Sequence, residues 1–414
     1  MKKAIYSLLI LSTFVSSSQS LRELYQKGLK AYEEKNYEEF REKMATIDSM
    51  RPNYPAVVYN LAGGYALTGN AEMSIKVLNK YILMDAVQDF TKDQDFQSIL
   101  DHTDFLKIQE KQKELSVTIE PAETRTYRAI ESHPESITYY KKHKAYFVGG
   151  VRDGNIWKIK EDEVPQLWVE SPKNSWSVMG LEVSSDNKVL WACTSSMSNY
   201  AEYNQSEEGY ASVLKYDLKN GKLLETFALP GGHNFGDLII DDKGNVFISD
   251  GIANKLYWIS EDDQQLEEFA DLSKQIFNLQ GLTFDADQKN IYLSDYIDGI
   301  YKLNLESRKA TKLRIEKDDI LIKGIDGLYF DDDSLIGMHN GTNPNRVVRY
   351  FLSADGNSLT GKETLAQAGS LGEPTQGTWI NGSLHFIMNS PWGAYDQDGN
   401  FNPEGESVII GVIE

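Results

Sequence analysis

One phrase recurs with drift through the C-terminal part of this chain. GLEVSSDNKVLWACTS begins at Gly180, GDLIIDDKGNVFISD at Gly236, GLTFDADQKNIYLSD at Gly281 and GLYFDDDSLIGMHN at Gly327. Each copy is an alternating apolar strand, an Asp/Asn/Gly turn and a second strand, which is how a β-hairpin reads in sequence. A lone hairpin cannot bury both faces, whereas hairpins repeated about every 45 residues can close into a ring. The repeat predicts a β-propeller, with its chemistry at the axis.

Aligning the first residue of each innermost strand gives six blade starts: Glu135, Met179, Gly236, Gln280, Asp326 and Gln376. The extra length of the second blade lies in SSMSNYAEYNQSEEGYA, a polar segment expected to overhang a mouth as a loop. VTIEPAETRTYRAI and the C-terminal ESVIIGVIE each supply one strand. The two ends are expected to share the last blade and leave no unpaired edge.

The N-terminal part has a different period. Leu24, Gly28, Asn36, Tyr37, Ala45 and Met50 recur in spacing as Val58, Ala62, Asn70, Ala71, Asn79 and Met84, which is a 34-residue repeat. That is the length of a tetratricopeptide helix pair, and YNLAGGYALTGNAEMSIKVLNKYILMD resembles the tetratricopeptide consensus. DQDFQSILDHTDFLKIQEKQKEL reads as a degenerate capping helix pair. The expected organisation is a helical domain over 21–115, followed by an all-β six-bladed propeller over 116–414. The helical repeats offer either a groove for a protein partner or a docking and stabilising appendage.

Residues 1–20 read as a bacterial signal peptide. Lys2 and Lys3 precede an apolar run from Ala4 to Val15, with Ser18 and Ser20 near the expected cleavage point. The expectation is a periplasmic or secreted protein without a membrane span, since the run is too short for a stable one. The chain carries 42 basic and 62 acidic residues, a net charge of −20, which disfavours nucleic acid and anionic membrane surfaces. The single Cys193 allows no internal disulfide.

Among the blade starts, Glu135 and Asp326 are carboxylates and Gln280 and Gln376 are carboxamides, all expected to point into the axial channel. Two carboxylates converging there repel unless a cation sits between them. An oxygen-only donor set suits a hard ion, Ca²⁺ before Mg²⁺ or Zn²⁺. Loops joining second and third strands lie at the same face, which brings Asp250, Asp295, His339, Asn340 and Asn389 to the mouth as candidate substrate contacts. His339 is the candidate titratable base there, and Arg346 a candidate clamp for an anionic group. The Ser-Asp pairs at Ser249-Asp250 and Ser294-Asp295 read equally as hairpin caps. Trp176 and Trp392 lie near loops and could stack on a sugar. No zinc-protease, nucleophile-elbow or phosphate-loop signature is present.

The blade phrases, together with DGLYFDDDSLIGMHNGTNPNRVVRYFLSADG over Asp326–Gly356, resemble the senescence-marker/gluconolactonase/luciferin-regenerating-enzyme family of six-bladed propellers. The resemblance covers roughly residues 121 to 414. It implies one divalent cation at the tunnel mouth, held by a Glu of the first blade, two Asn of middle blades and an Asp that also acts as base. By position the Glu is Glu135 and the Asp is Asp326. The Asn positions fall on Gly236 and Gln280, so the set is altered, with Asn234 as a compensating oxygen. The resemblance therefore implies a metal-dependent hydrolase of lactones or related cyclic esters, with Asp326 and His339 catalytic. The alternative is a non-catalytic propeller that binds a sugar or peptide.

Overall fold

The computed structural model describes residues 15–128, 132–161, 163–396, 399–402 and 407–414. Most of the expected signal peptide lies outside the described residues. Among them, no helix is long and apolar enough to cross a membrane. The chain divides into two compact units, one holding the chain up to Val117 with Thr342–Pro344, the other Thr118–Gly341 and Asn345–Glu414.

The first unit is helical. Helices α1 (Val15–Glu33), α2 (Tyr37–Met50), α3 (Pro55–Leu67) and α4 (Ala71–Met84) form two hairpins. The turns are written in the sequence: Asn36 caps α2 by accepting from the Glu39 amide, and Asn70 caps α4 by accepting from the Met73 amide. Gly69 takes the left-handed conformation that ends α3, with φ +77°. Phe40, Met44 and Ile47 of α2 pack with Val57 and Leu61 of α3. The expected capping pair is only half α-helix. Gln94–Ile99 is a 3₁₀ helix, and only α5 (Thr103–Glu114) is α-helical. Phe96 and Ile99, three apart, are both buried, a spacing that the three-residue turn puts on one face.

The second unit is a six-bladed propeller. Its innermost strands are Pro134–Tyr140, Ser177–Val183, Phe235–Ile240, Leu279–Phe284, Ile325–Asp331 and Gly377–Ile380. Five blades are built from consecutive antiparallel strands, the fifth with one extra short strand at its outer edge. In the sixth, Glu123–Arg128 pairs with the C-terminal Ser407–Ile413, so both ends of the unit lie in one sheet and close the ring. The core is a ring of six interfaces, each built from adjacent blades. Ile137, Tyr146 and Val148 meet Ile387, Val408 and Ile410 where the last blade meets the first. Each such side chain stabilises by about 1.5–3 kcal/mol.

Two local devices shape the axis. The innermost strands of the first five blades each break register near their first residues, between Pro134 and Ser136, Val178 and Gly180, Phe235 and Leu238, Leu279 and Leu282, and Ile325 and Leu328. The residues in those bulges include Glu135, Met179, Gly236, Gln280 and Asp326. A bulge bends its strand and re-aims one side chain. The repeated glycine has its own cause, because innermost strands crowd together near the axis. A Cβ on Gly281 would stand 2.4 Å from the Asp326 carbonyl oxygen, and one on Gly327 2.4 Å from that of Thr375.

Candidate functional site

Glu135 is 3% exposed on the first blade's bulge. Its Oε2 accepts from the Trp392 indole Nε1 at 2.9 Å and from the Ser390 hydroxyl in a very short contact. Among the described residues no donor reaches Oε1. Asp326, on the fifth blade's bulge, accepts from the Asn340 amide at 2.6 Å through Oδ2, and Asn340 in turn accepts from the Tyr296 hydroxyl at 2.9 Å. Burial and the nearby Asp326 charge push the Glu135 carboxyl well above its ordinary range. Burial likewise raises Asp326 to about 6, against the pull of the Asn340 hydrogen bond, with Glu373 adding repulsion.

Both carboxamides approach Gly236 of the third blade. Gln376 donates to the Gly236 carbonyl at 2.9 Å, and Gln280 donates to Asn278 Oδ1 at 2.7 Å. The Cβ that Gly236 lacks would lie 3.2 Å from Gln280 Oε1, so the longer amide fills the place an Asn at 236 would claim. Asn234 sits in the loop before this strand, with a buried Oδ1 that meets no hydrogen-bond donor among the described residues.

Several expected contacts turn out to hold the fold instead. Asp250 is fully buried, and its Oδ1 accepts from the amides of Asn234, Ile252 and Ala253, while Oδ2 faces His233 Nδ1 at 2.7 Å. Asp295 is fully buried one blade later, and accepts from the amides of Phe277, Asn278 and Ile297. Both tie the end of a second strand to nearby loop amides, the hairpin-capping alternative raised by their sequence. His339 occupies the same register position in the fifth blade, opposite Ile325 as Asp250 is opposite Phe235. Its Nδ1 donates to the Lys323 carbonyl at 3.0 Å and its Nε2 meets the Tyr350 hydroxyl. Burial, reinforced by Arg346, lowers it to about 3. His339 is a neutral, committed latch and not a base at the mouth, because strand alternation gives the axial side to Asn340. Asn389 likewise turns inward: its amide donates to the Ser407 carbonyl and accepts from the Ile409 amide, stitching the last blade together. Arg346 is 4% exposed inside the fifth blade, too deeply buried to clamp a ligand. Trp176 is 5% exposed and donates to Glu207.

His133 carried no sequence signal, yet it lies fully buried behind Glu135, with Nε2 2.8 Å from Ser390 Oγ. Asp237 was equally unmarked. It stands where the fourth and fifth blades have Gly281 and Gly327, and accepts from the amides of Leu238 and Leu282, which links the third blade to the fourth. Burial raises it to about 7, and raises Glu182 to about 8 with Asp237's charge adding to the effect.

The donor chemistry at the axis suits a hard cation: two mutually repelling carboxylates and carboxamide oxygens, with the nearby His133 ring engaged by Ser390 and Tyr395. Gly236 subtracts one side-chain ligand. Among the described residues no three His, Cys, Asp or Glu side chains gather as a metal site, so a cation would draw on Gln280 or solvent as well.

The architecture has many solved counterparts. The Malassezia sympodialis allergen Mala s 1 superposes with a TM-score of 0.56 at 13% identity, over 70% of this chain and 96% of that one. A Thermus thermophilus protein described as a putative oxidoreductase (glucose dehydrogenase) gives 0.50 at 12% identity, over 70% and 100%. A Xanthomonas campestris gluconolactonase gives 0.48 at 12%, over 71% and 91%. No family model and no curated sequence matches the chain. The chain's own six sheets define the class, a six-bladed β-propeller, and at such identity the likenesses speak for the fold alone.

Proposed function

We propose that this is an exported propeller hydrolase acting on lactones or related cyclic esters at the channel mouth. Glu135, Asp326 and Gln280 hold a divalent cation there, Ca²⁺ first. The observation that carries the reading is the pair of carboxylates on bulges of two different blades, each with one oxygen engaged by donors and no donor among the described residues reaching the other. A bound cation would supply polarisation of the substrate carbonyl. Asp326, held by Asn340 and through it by Tyr296, is placed to take a proton from an attacking water. Trp392 and Ser390 fix Glu135, and Gln376, between the blades of Asp326 and Glu135, reaches to the Gly236 carbonyl.

A second reading is favoured by Gly236, the lost side-chain ligand, whose carbonyl already receives the Gln376 amide. In it the mouth binds a sugar or peptide without turning it over, and the helical repeats engage a protein partner. The test is turnover of an aldonolactone panel by the full chain, with and without chelator. Chelator-sensitive hydrolysis supports the first reading. Ligand binding to folded protein without turnover supports the second.

A further inference from the structure

Behind Glu135 lies a buried chain of polar groups that the cation and the substrate would not touch. Ser390 and His133 are fully buried. The Trp392 indole can only donate, which marks Glu135 Oε2 as an acceptor, and Ser390's one proton points to the same oxygen. Ser390 Oγ must then accept from His133, so Nε2 of that ring carries the hydrogen across the 2.8 Å contact. Nδ1 is left as the acceptor, 3.0 Å from the Tyr395 hydroxyl, whose one hydrogen it shares with the Asn199 carbonyl at 3.3 Å. The ring is also clamped: Phe401 stacks on it at 5.9 Å with 3° between planes, and Trp392 meets it edge-on at 4.6 Å.

We propose that Tyr395, His133 and Ser390 form a directional relay that positions Glu135, pinning Oε2 so that Oε1 is the oxygen presented to the channel. The relay spans two blades, His133 preceding the first blade's innermost strand and Ser390 following the last blade's second strand. Glu135 is thereby set by the closure of the ring. The three are positioning residues, since none faces the channel oxygen itself. Their use rests on the reading of the mouth as a cation site, but their geometry does not.

Two measurements separate those claims. In protein with ¹⁵N-labelled histidine, His133 should show a protonated Nε2 and a bare Nδ1, and Ser390→Ala should shift the Nε2 resonance while Ser390→Thr restores it. A protonated Nδ1, or a His133 signal indifferent to Ser390→Ala, overturns the relay. Calorimetry with Ca²⁺ alone should show Ser390→Ala weakening binding about tenfold, the range known for groups that orient metal ligands, with Ser390→Thr recovering it. Equal Ca²⁺ affinity in wild type and Ser390→Ala overturns the positioning role. If wild type binds no Ca²⁺, the cation reading fails. The histidine spectrum, repeated with His133→Gln as the assignment control, still decides the relay.

Discussion

Two rings of acidic residues surround the axis, and the same side chain does opposite things in them. Asp250 and Asp295 end second strands, are wholly buried, and each accepts three backbone amides. Asp326 and Glu135 begin innermost strands, on bulges, and their donors engage a single oxygen. A buried carboxylate whose oxygens are saturated by amides is structural, because its charge is already solvated by the chain. One with an oxygen left over is available to a ligand. Partner count decides the role, and residue type does not.

The largest effect should come from the inner ring. Asp326→Asn should lower kcat/KM on any lactone the protein hydrolyses by about 10²- to 10⁴-fold, the usual weight of a general base, with little change in Tm. A variant retaining full activity would remove Asp326 from the chemistry. In the outer ring the same residue type should fail differently. Asp295→Ala strands three buried amides and should destabilise by about 3 kcal/mol or more in urea unfolding, while any residual folded fraction keeps its specific activity. An unchanged denaturation midpoint would erase the contrast.

Glu182 sharpens the comparison, since no donor among the described residues reaches it. Burial raises its carboxyl from 4.5 to about 8, so the folded state keeps a proton that the unfolded chain releases. Stability therefore falls as pH rises from about 4.5 to 8, and Glu182→Gln should add stability that grows to about 4 kcal/mol at pH 8 and is nothing near pH 4. A pH-independent gain would assign the effect to packing. Gly236→Asn should have the smallest effect on stability, within about 1 kcal/mol, because the new Cβ meets only the tip of the flexible Gln280 side chain at 3.2 Å. By restoring an oxygen ligand it should tighten Ca²⁺ binding in calorimetry. Weaker binding would show that Gln280 already occupies that place.

Much of this was legible in the chain. Alternation and turn residues set the hairpins, their interval set the ring, and the two terminal strands set its closure, because each is a local or periodic property. The 34-residue helical period, in which Asn36 and Asn70 recur, could be read for the same reason. Glu135 and Asp326 were marked by register as strand starts, and both stand on bulges of innermost strands. The pattern also misled: His339, Asp250, Asp295, Asn389 and Arg346 lie on mouth loops or adjoining strand ends in sequence, yet their side chains turn inward. Whether a loop residue faces solvent or caps a neighbouring amide depends on partners up to 20 residues away, which spacing does not encode. The 3₁₀ turn at Gln94–Ile99 was likewise hidden, since a short apolar pair three apart fits either helix.

The sequence by itself determined six blades, a helical unit before them and two acidic starts of innermost strands, all consequences of period and composition. Tertiary structure alone decided that His133 and Ser390 stand behind Glu135, 257 residues apart in the chain, and that Gln280 fills the space beside Gly236. Those contacts form only when the ring closes and the innermost strands converge, and no local pattern records which side chains that convergence brings within hydrogen-bonding distance.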